Sequence, residues 1–179
     1  METIFDHQFI TIALKLTLAM LLGLLLGFER ILVHKTAGMR TYALVSMTSA
    51  MFIAISEVVT RSYILINPII TSDPLRVAAQ VVVGIGFLGA GLIFFKDNQI
   101  QNITTAGGLW TCAAIGMAVG FGLYSEAIFM ALLTFFVLVI LSFLERKVRL
   151  RIVSDPELEK TLQPKKPRRI AKKISKEII

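Results

Sequence analysis

Five stretches of 18 to 21 residues, 8–28, 41–59, 75–95, 106–124 and 127–144, each hold at most one charged residue. No other feature limits the fold so strongly. A bilayer core of about 30 Å takes about 20 apolar helical residues. In lipid only helices and closed barrels leave no backbone group unpaired, and runs of this length fit helices rather than alternating strands of about ten residues. None shows the polar stripe of an amphipathic soluble helix. Five buried helices of a soluble protein are the alternative, and it fails on coverage: only 17% of the chain is charged, against about 25% in ordinary domains. The sequence therefore predicts an all-α membrane protein. Residues 1–144 form a bundle of about five transmembrane helices, and 145–179 form a short basic cytoplasmic tail.

The charges divide at the same boundary. From Glu145 onward there are twelve Lys/Arg and five Asp/Glu, which accounts for the whole net charge of +7; the first 144 residues are neutral. The connections that five spans place on the tail's side carry Arg30, Lys35, Arg40 and Lys96, whereas METIFDHQ before the first span has no Lys or Arg. The positive-inside rule then sets the amino end outside and the tail in the cytoplasm. Asp97 offsets Lys96, which weakens that connection's vote. The same leading residues lack the positive start of a signal peptide, so span one reads as a permanent helix.

Several chemistries are disfavoured. The single Cys112 excludes a disulfide framework and a multi-cysteine metal site. There is no HExxH, no Ser/His/Asp arrangement of a hydrolase, and nothing that calls for a cofactor, so an enzyme is not expected. Gly84-Ile85-Gly86-Phe87-Leu88-Gly89 is literally GxGxxG, but a dinucleotide site needs a preceding strand and an acid about 20 residues on. Here position 109 is Leu and 110 is Trp.

The glycines have a simpler use. Gly23 and Gly27, Gly116 and Gly120, and the run Gly84, Gly86, Gly89, Gly91 place small residues at helical spacing, which lets membrane helices approach closely. Packing within one bundle is the plain reading, and a homodimer seam is the alternative.

Intramembrane charges are costly and often functional. Lys15 lies about 10 Å into span one at 1.5 Å per residue, and Glu57 lies near the matching end of span two. Their depths allow an ion pair; equally, Lys15 can snorkel and Glu57 can reach water unaided. Asp73, Arg76 and Gln80 start span three, and with Glu57 they form a candidate polar pocket. Asp73 as a helix cap and Arg76 at the headgroups is the plain alternative. A hard cation there would want several oxygen ligands, of which Asp73 and Glu57 supply two; whether any metal binds stays open. On the cytoplasmic side Glu29, Arg30, Gly38 and Arg40 surround the first connection, with Glu29 placed to hold Arg40 across the turn. The tail's last stretch, 168–179, puts Ile170, Ile174 and Ile178 on one helical face. It suits anionic lipid or a protein partner, and its lack of interleaved aromatics argues against nucleic acid.

LGLLLGFERILVHKTAGMRTYALVSMTSAMF, DPLRVAAQVVVGIGFLGAGLIF and ITTAGGLWTCAAIGMAVGFGLY together resemble the membrane domain of the MgtC/SapB family, in the family's order. The resemblance covers about residues 15–130 and implies a bacterial inner-membrane protein. It further implies a link to growth at low magnesium and survival in phagocytes, and to restraint of the F-type ATP synthase as a membrane partner. Within the matching blocks lie Glu29, Arg30, Gly38, Arg40, Asp73, Pro74, Arg76, Gln80, the Gly84–Gly91 run, Thr104, Thr105 and Trp110. Many relatives in the virulence-associated branch carry a larger soluble carboxy-terminal domain. About 35 residues after the last span are too few for one, so functions that depend on it are not expected. The leading expectation is an accessory or regulatory protein of cation homeostasis. A small oligomeric transporter or channel, and a membrane scaffold using its basic tail, are the alternatives.

Overall fold

A computed structural model of the chain describes residues 2–33, 35–66, 73, 75–96, 99–145 and 147–148. The order is α1 (Glu2–Leu32), α2 (Met39–Ile66), α3 (Leu75–Leu92), β1 (Phe94–Lys96), β2 (Gln99–Gln101), α4 (Ile103–Gly120) and α5 (Tyr124–Phe136), the last followed by a π-helical turn, Val137–Leu141. Five helices are long and apolar enough to cross a membrane, the fifth running Tyr124–Glu145. The described residues up to Val139 belong to one compact unit and those from Ile140 onward to a second. The expected helix over 168–179, and His34, Pro74 and Asp97, lie outside the described residues.

The bundle is organised around α2, which packs on α1 along one side and on α4 along another. Glycine makes both approaches possible. A Cβ on Gly23 would come to 2.6 Å of the Tyr42 carbonyl oxygen, and one on Gly27 to 2.8 Å of the Met39 nitrogen. From the other side, a Cβ on Gly116 would strike the Ser46 backbone, and one on Gly120 would reach 2.9 Å from the Ala50 oxygen. The middle of α2 is thus held between two glycine-lined helix faces, the close approach that association in lipid relies on. Ala19, Leu26, Ile115 and Val119 fill the rest of this seam.

α3 is peripheral. Half of α4 is buried inside the chain but only 11% of α3 is, and α3 packs chiefly on α4. Gly89 faces Ala106 at that contact, while Gly84, Gly86 and Gly91 have no atom within 4 Å of a built Cβ.

Helix ends differ from the expected spans by a few residues throughout, α1 running Glu2–Leu32 rather than 8–28, and three differences shape the connections. α2 continues past residue 59 to Ile66. The third span stops at Leu92, and the next residues turn into an antiparallel hairpin that pairs Phe94 with Gln101 and Phe95 with Ile100. Asn102, at φ 67°, sits in the left-handed region that Asn tolerates. Its side-chain amide donates to the Leu92 carbonyl at 3.2 Å and to Thr36 Oγ1 at 3.2 Å, pinning the hairpin's base to the α1–α2 loop. The fourth span ends at Gly120 rather than 124, because Gly122 at φ +81° reverses the chain.

Candidate functional site

Polar chemistry collects at the two ends of the α1–α2–α4 seam and beside α3. At the end bearing residue 7, Lys15 points from α1 into the bundle and is 9% exposed. Its ammonium donates to Glu57 Oε2 at 3.1 Å and to the Gly120 carbonyl at 2.7 Å. Gly120 closes α4, so the ammonium meets the negative end of that helix dipole as well as a carboxylate. The other carboxylate oxygen, Glu57 Oε1, accepts from Arg61 Nη2 at 2.6 Å, one helical turn further along α2. These groups border a cavity of about 490 Å³ between α1 and α2, also lined by His7, Gln8 and Thr11.

At the other end, Glu29 and Arg30 are 3% and 1% exposed and bonded to each other. Consecutive helical residues do not usually face one another, and Arg40, the expected partner of Glu29, is exposed. The pairing arises because both side chains turn into the bundle, where among the described residues each has only the other charge beside it. Glu29 Oε1 and Arg30 Nη1 find no further partner among the described residues, nor do the Ser46 and Thr105 hydroxyls. Tyr42 stands beside them, its hydroxyl 3.4 Å from the Thr105 carbonyl, over Gly108, whose lack of a side chain leaves room for it. Cys112 Sγ donates to the Tyr42 carbonyl at 3.2 Å. Tyr42, Ser46, Thr105 and Cys112 were not singled out by the sequence reading as one cluster; the signal was their spacing by whole helical turns on α2 and α4.

The third polar place is a groove of about 660 Å³ between α2 and α3. Its wall is apolar apart from Thr48, Ser49, Arg76 and Gln80. Asp73 caps α3, its Oδ1 accepting from the Leu75 N–H at 2.9 Å. Of the residues grouped by the sequence, Arg76 and Gln80 share this groove with Gly84, whereas Glu57 faces α1 and lines the other cavity. Gly38 lies in the turn, where a Cβ would meet Ile31 at 3.2 Å. Among the described residues no three His, Cys, Asp or Glu side chains are grouped to hold a metal.

A helical bundle with five membrane-length spans defines a multi-pass membrane protein. The profile of the MgtC family matches residues 16–147, and the chain belongs to that family. It is 46% identical over 109 residues to the protein MgtC of Brucella abortus, covering 61% of this chain and 42% of that one. It is 39% identical over 125 residues to YhiD of Escherichia coli K12, whose name marks it as a candidate magnesium transporter; 70% of this chain and 58% of that one are covered. It is 38% identical over 154 residues to the protein SapB of Bacillus subtilis, covering 85% and 64%. The chain thus spans between 42% and 64% of the length of these relatives. No solved structure matches.

Proposed function

We propose that this chain is a non-enzymatic accessory or regulatory protein of magnesium and cation homeostasis in the bacterial inner membrane. Its amino end lies outside and its tail in the cytoplasm, and it acts through a membrane partner such as the F-type ATP synthase. The observation that carries the reading is the open flank of α3. Gly84 and Gly91, seven residues apart on one face of α3, meet nothing inside the chain, while Gly23 and Gly27 of α1 and Gly116 and Gly120 of α4 are occupied by α2. Beside that flank runs the α2–α3 groove with Arg76 and Gln80 at its polar end. Small residues with one cation at the helix start suit a partner helix that brings an acidic or carbonyl group.

The test is growth of a deletion strain across a magnesium series, with wild type, Gly84→Leu and Arg76→Ala returned on a plasmid. Loss of growth at low magnesium, rescued by wild type and not by a well-expressed Gly84→Leu, supports the reading. Normal growth of the deletion strain detaches the chain from magnesium, and full rescue by both variants removes the α3 flank from the function.

A small oligomeric transporter is the second reading, favoured by the name of the Escherichia coli relative. The α1–α2–α4 seam is filled by backbone contact at Gly23, Gly27, Gly116 and Gly120, so on this reading a path has to run between copies. Magnesium flux into liposomes bearing the purified protein separates the two.

A further inference from the structure

We propose that the cavity between α1 and α2 is a binding site for an oxyanion of the phosphate class, held between Lys15 and Arg61. The inference is independent of the magnesium reading and rests on a count of what each polar group still has to offer.

Both oxygens of Glu57 are already engaged, Oε2 by Lys15 and Oε1 by Arg61. The two hydroxyls nearby have spent their protons on their own helices: Thr11 Oγ1 donates to the His7 carbonyl and Ser62 Oγ to the Val58 carbonyl, each at 2.9 Å. The donors are not exhausted. An ammonium has three N–H groups, and Lys15 uses two, on Glu57 and Gly120. A guanidinium has five, and Arg61 directs one at Glu57. Gln8 adds an amide on the same wall. Among the described residues two cations and one carboxylate line the cavity, so its described wall is positive and donor-rich.

The geometry brings the donors to one place. Lys15 and Arg61 flank the same carboxylate, one on each oxygen, and both line the same cavity, into which an anion would enter. Arg presents a planar fork matched to phosphate oxygens. Lys15 is eight residues beyond His7, about 12 Å deeper at 1.5 Å per residue, and Arg61 is 76% exposed. The site therefore has a buried floor and an exposed rim. A magnesium ion is the wrong guest: it wants several oxygen ligands and retained waters, and here it would meet two cations.

The same chemistry fits a free phosphate and the phosphodiester of a lipid headgroup, and two arms of one experiment distinguish them. In the first, inorganic phosphate is titrated against the full chain in maltoside micelles and binding is read from the phosphorus-31 linewidth. In the second, retention of phosphatidylglycerol is read by native mass spectrometry. Wild type, Arg61→Ala, Arg61→Lys and Lys15→Met are compared. Arg61→Ala keeps the Lys15–Glu57 pair and so keeps the fold, which circular dichroism checks even where Lys15→Met does not fold. The expected result is binding weakened tenfold or more in Arg61→Ala and partly kept in Arg61→Lys. An effect on inorganic phosphate identifies a free oxyanion, and an effect on phosphatidylglycerol alone identifies a headgroup. No binding in either arm, equal binding by wild type and Arg61→Ala, or magnesium bound in a Glu57-dependent way overturns the proposal.

Discussion

Replacing Gly23 with alanine tests whether α2 is clamped by its neighbours. The new Cβ would lie 2.6 Å from the Tyr42 carbonyl oxygen and 3.0 Å from Ala43 Cα. These are backbone atoms, so no change of rotamer relieves the contact. The α1–α2 crossing has to open by roughly 0.8 Å, the shortfall between 2.6 Å and ordinary contact at 3.4 Å, in an interior of low compressibility. Overpacking of this kind costs about 1–3 kcal/mol, or about 5- to 150-fold in the folded-to-unfolded ratio at tenfold per 1.4 kcal/mol. Gly86→Ala is the matched control: the same substitution in a membrane helix, with no atom within 4 Å, and a change within about 0.5 kcal/mol. Reversible unfolding in maltoside–dodecyl sulfate mixtures, followed by circular dichroism, reads both. Equal midpoints for Gly23→Ala and Gly86→Ala would refute the argument that glycine sets the crossing distance.

Gly108→Ala drives its Cβ into the Tyr42 hydroxyl and should cost about 1–3 kcal/mol; adding Tyr42→Phe, which removes the atom struck, should restore most of the loss in a double-mutant cycle. Arg30→Met strands the Glu29 carboxylate at 3% exposure and should cost about 3–5 kcal/mol, largely regained in Arg30→Met/Glu29→Leu; the measurement is folded yield after purification. Lys15→Met removes the cation from Glu57 Oε2 and from the Gly120 carbonyl and should lower stability by about 1–3 kcal/mol, whereas Arg61→Ala, at 76% exposure, should change it by about 0.5 kcal/mol or less. A lower midpoint for Arg61→Ala than for Lys15→Met would reverse that ranking.

The spans are legible in the sequence because lipid imposes one length and one polarity on every helix. The matching depths of Lys15 and Glu57 are legible for the same reason. The second partner of Lys15 is a backbone carbonyl, which no side-chain pattern announces. The hairpin at Phe94–Gln101 is masked because its first strand continues an apolar helical run, and hydropathy alone does not tell Phe94-Phe95 in a strand from the same pair in a helix. Glu29 and Arg30 are adjacent, so a helical wheel sets them on different faces; only tertiary burial turns them toward each other. Arg76 and Gln80, four residues apart, line one groove beside α3, but which helix that face overlooks depends on the tilt of α3 against α4, and tilt is not written in periodicity.

The position of α2 also bears on how the protein is made. α2 leaves the ribosome directly after α1 and can pair with it at once, whereas α4 arrives only after α3 has crossed. During that interval the Tyr42 hydroxyl, which in the finished bundle lies 3.4 Å from the Thr105 carbonyl of α4, lacks that partner, and the stretch of α2 that carries it looks onto lipid. Hydroxyl groups in hydrocarbon are poorly solvated until a partner reaches them. A half-synthesised or truncated chain is thus distinguishable from a finished one by what its second helix shows to the bilayer, and arrival of α4 is the event that hides the difference.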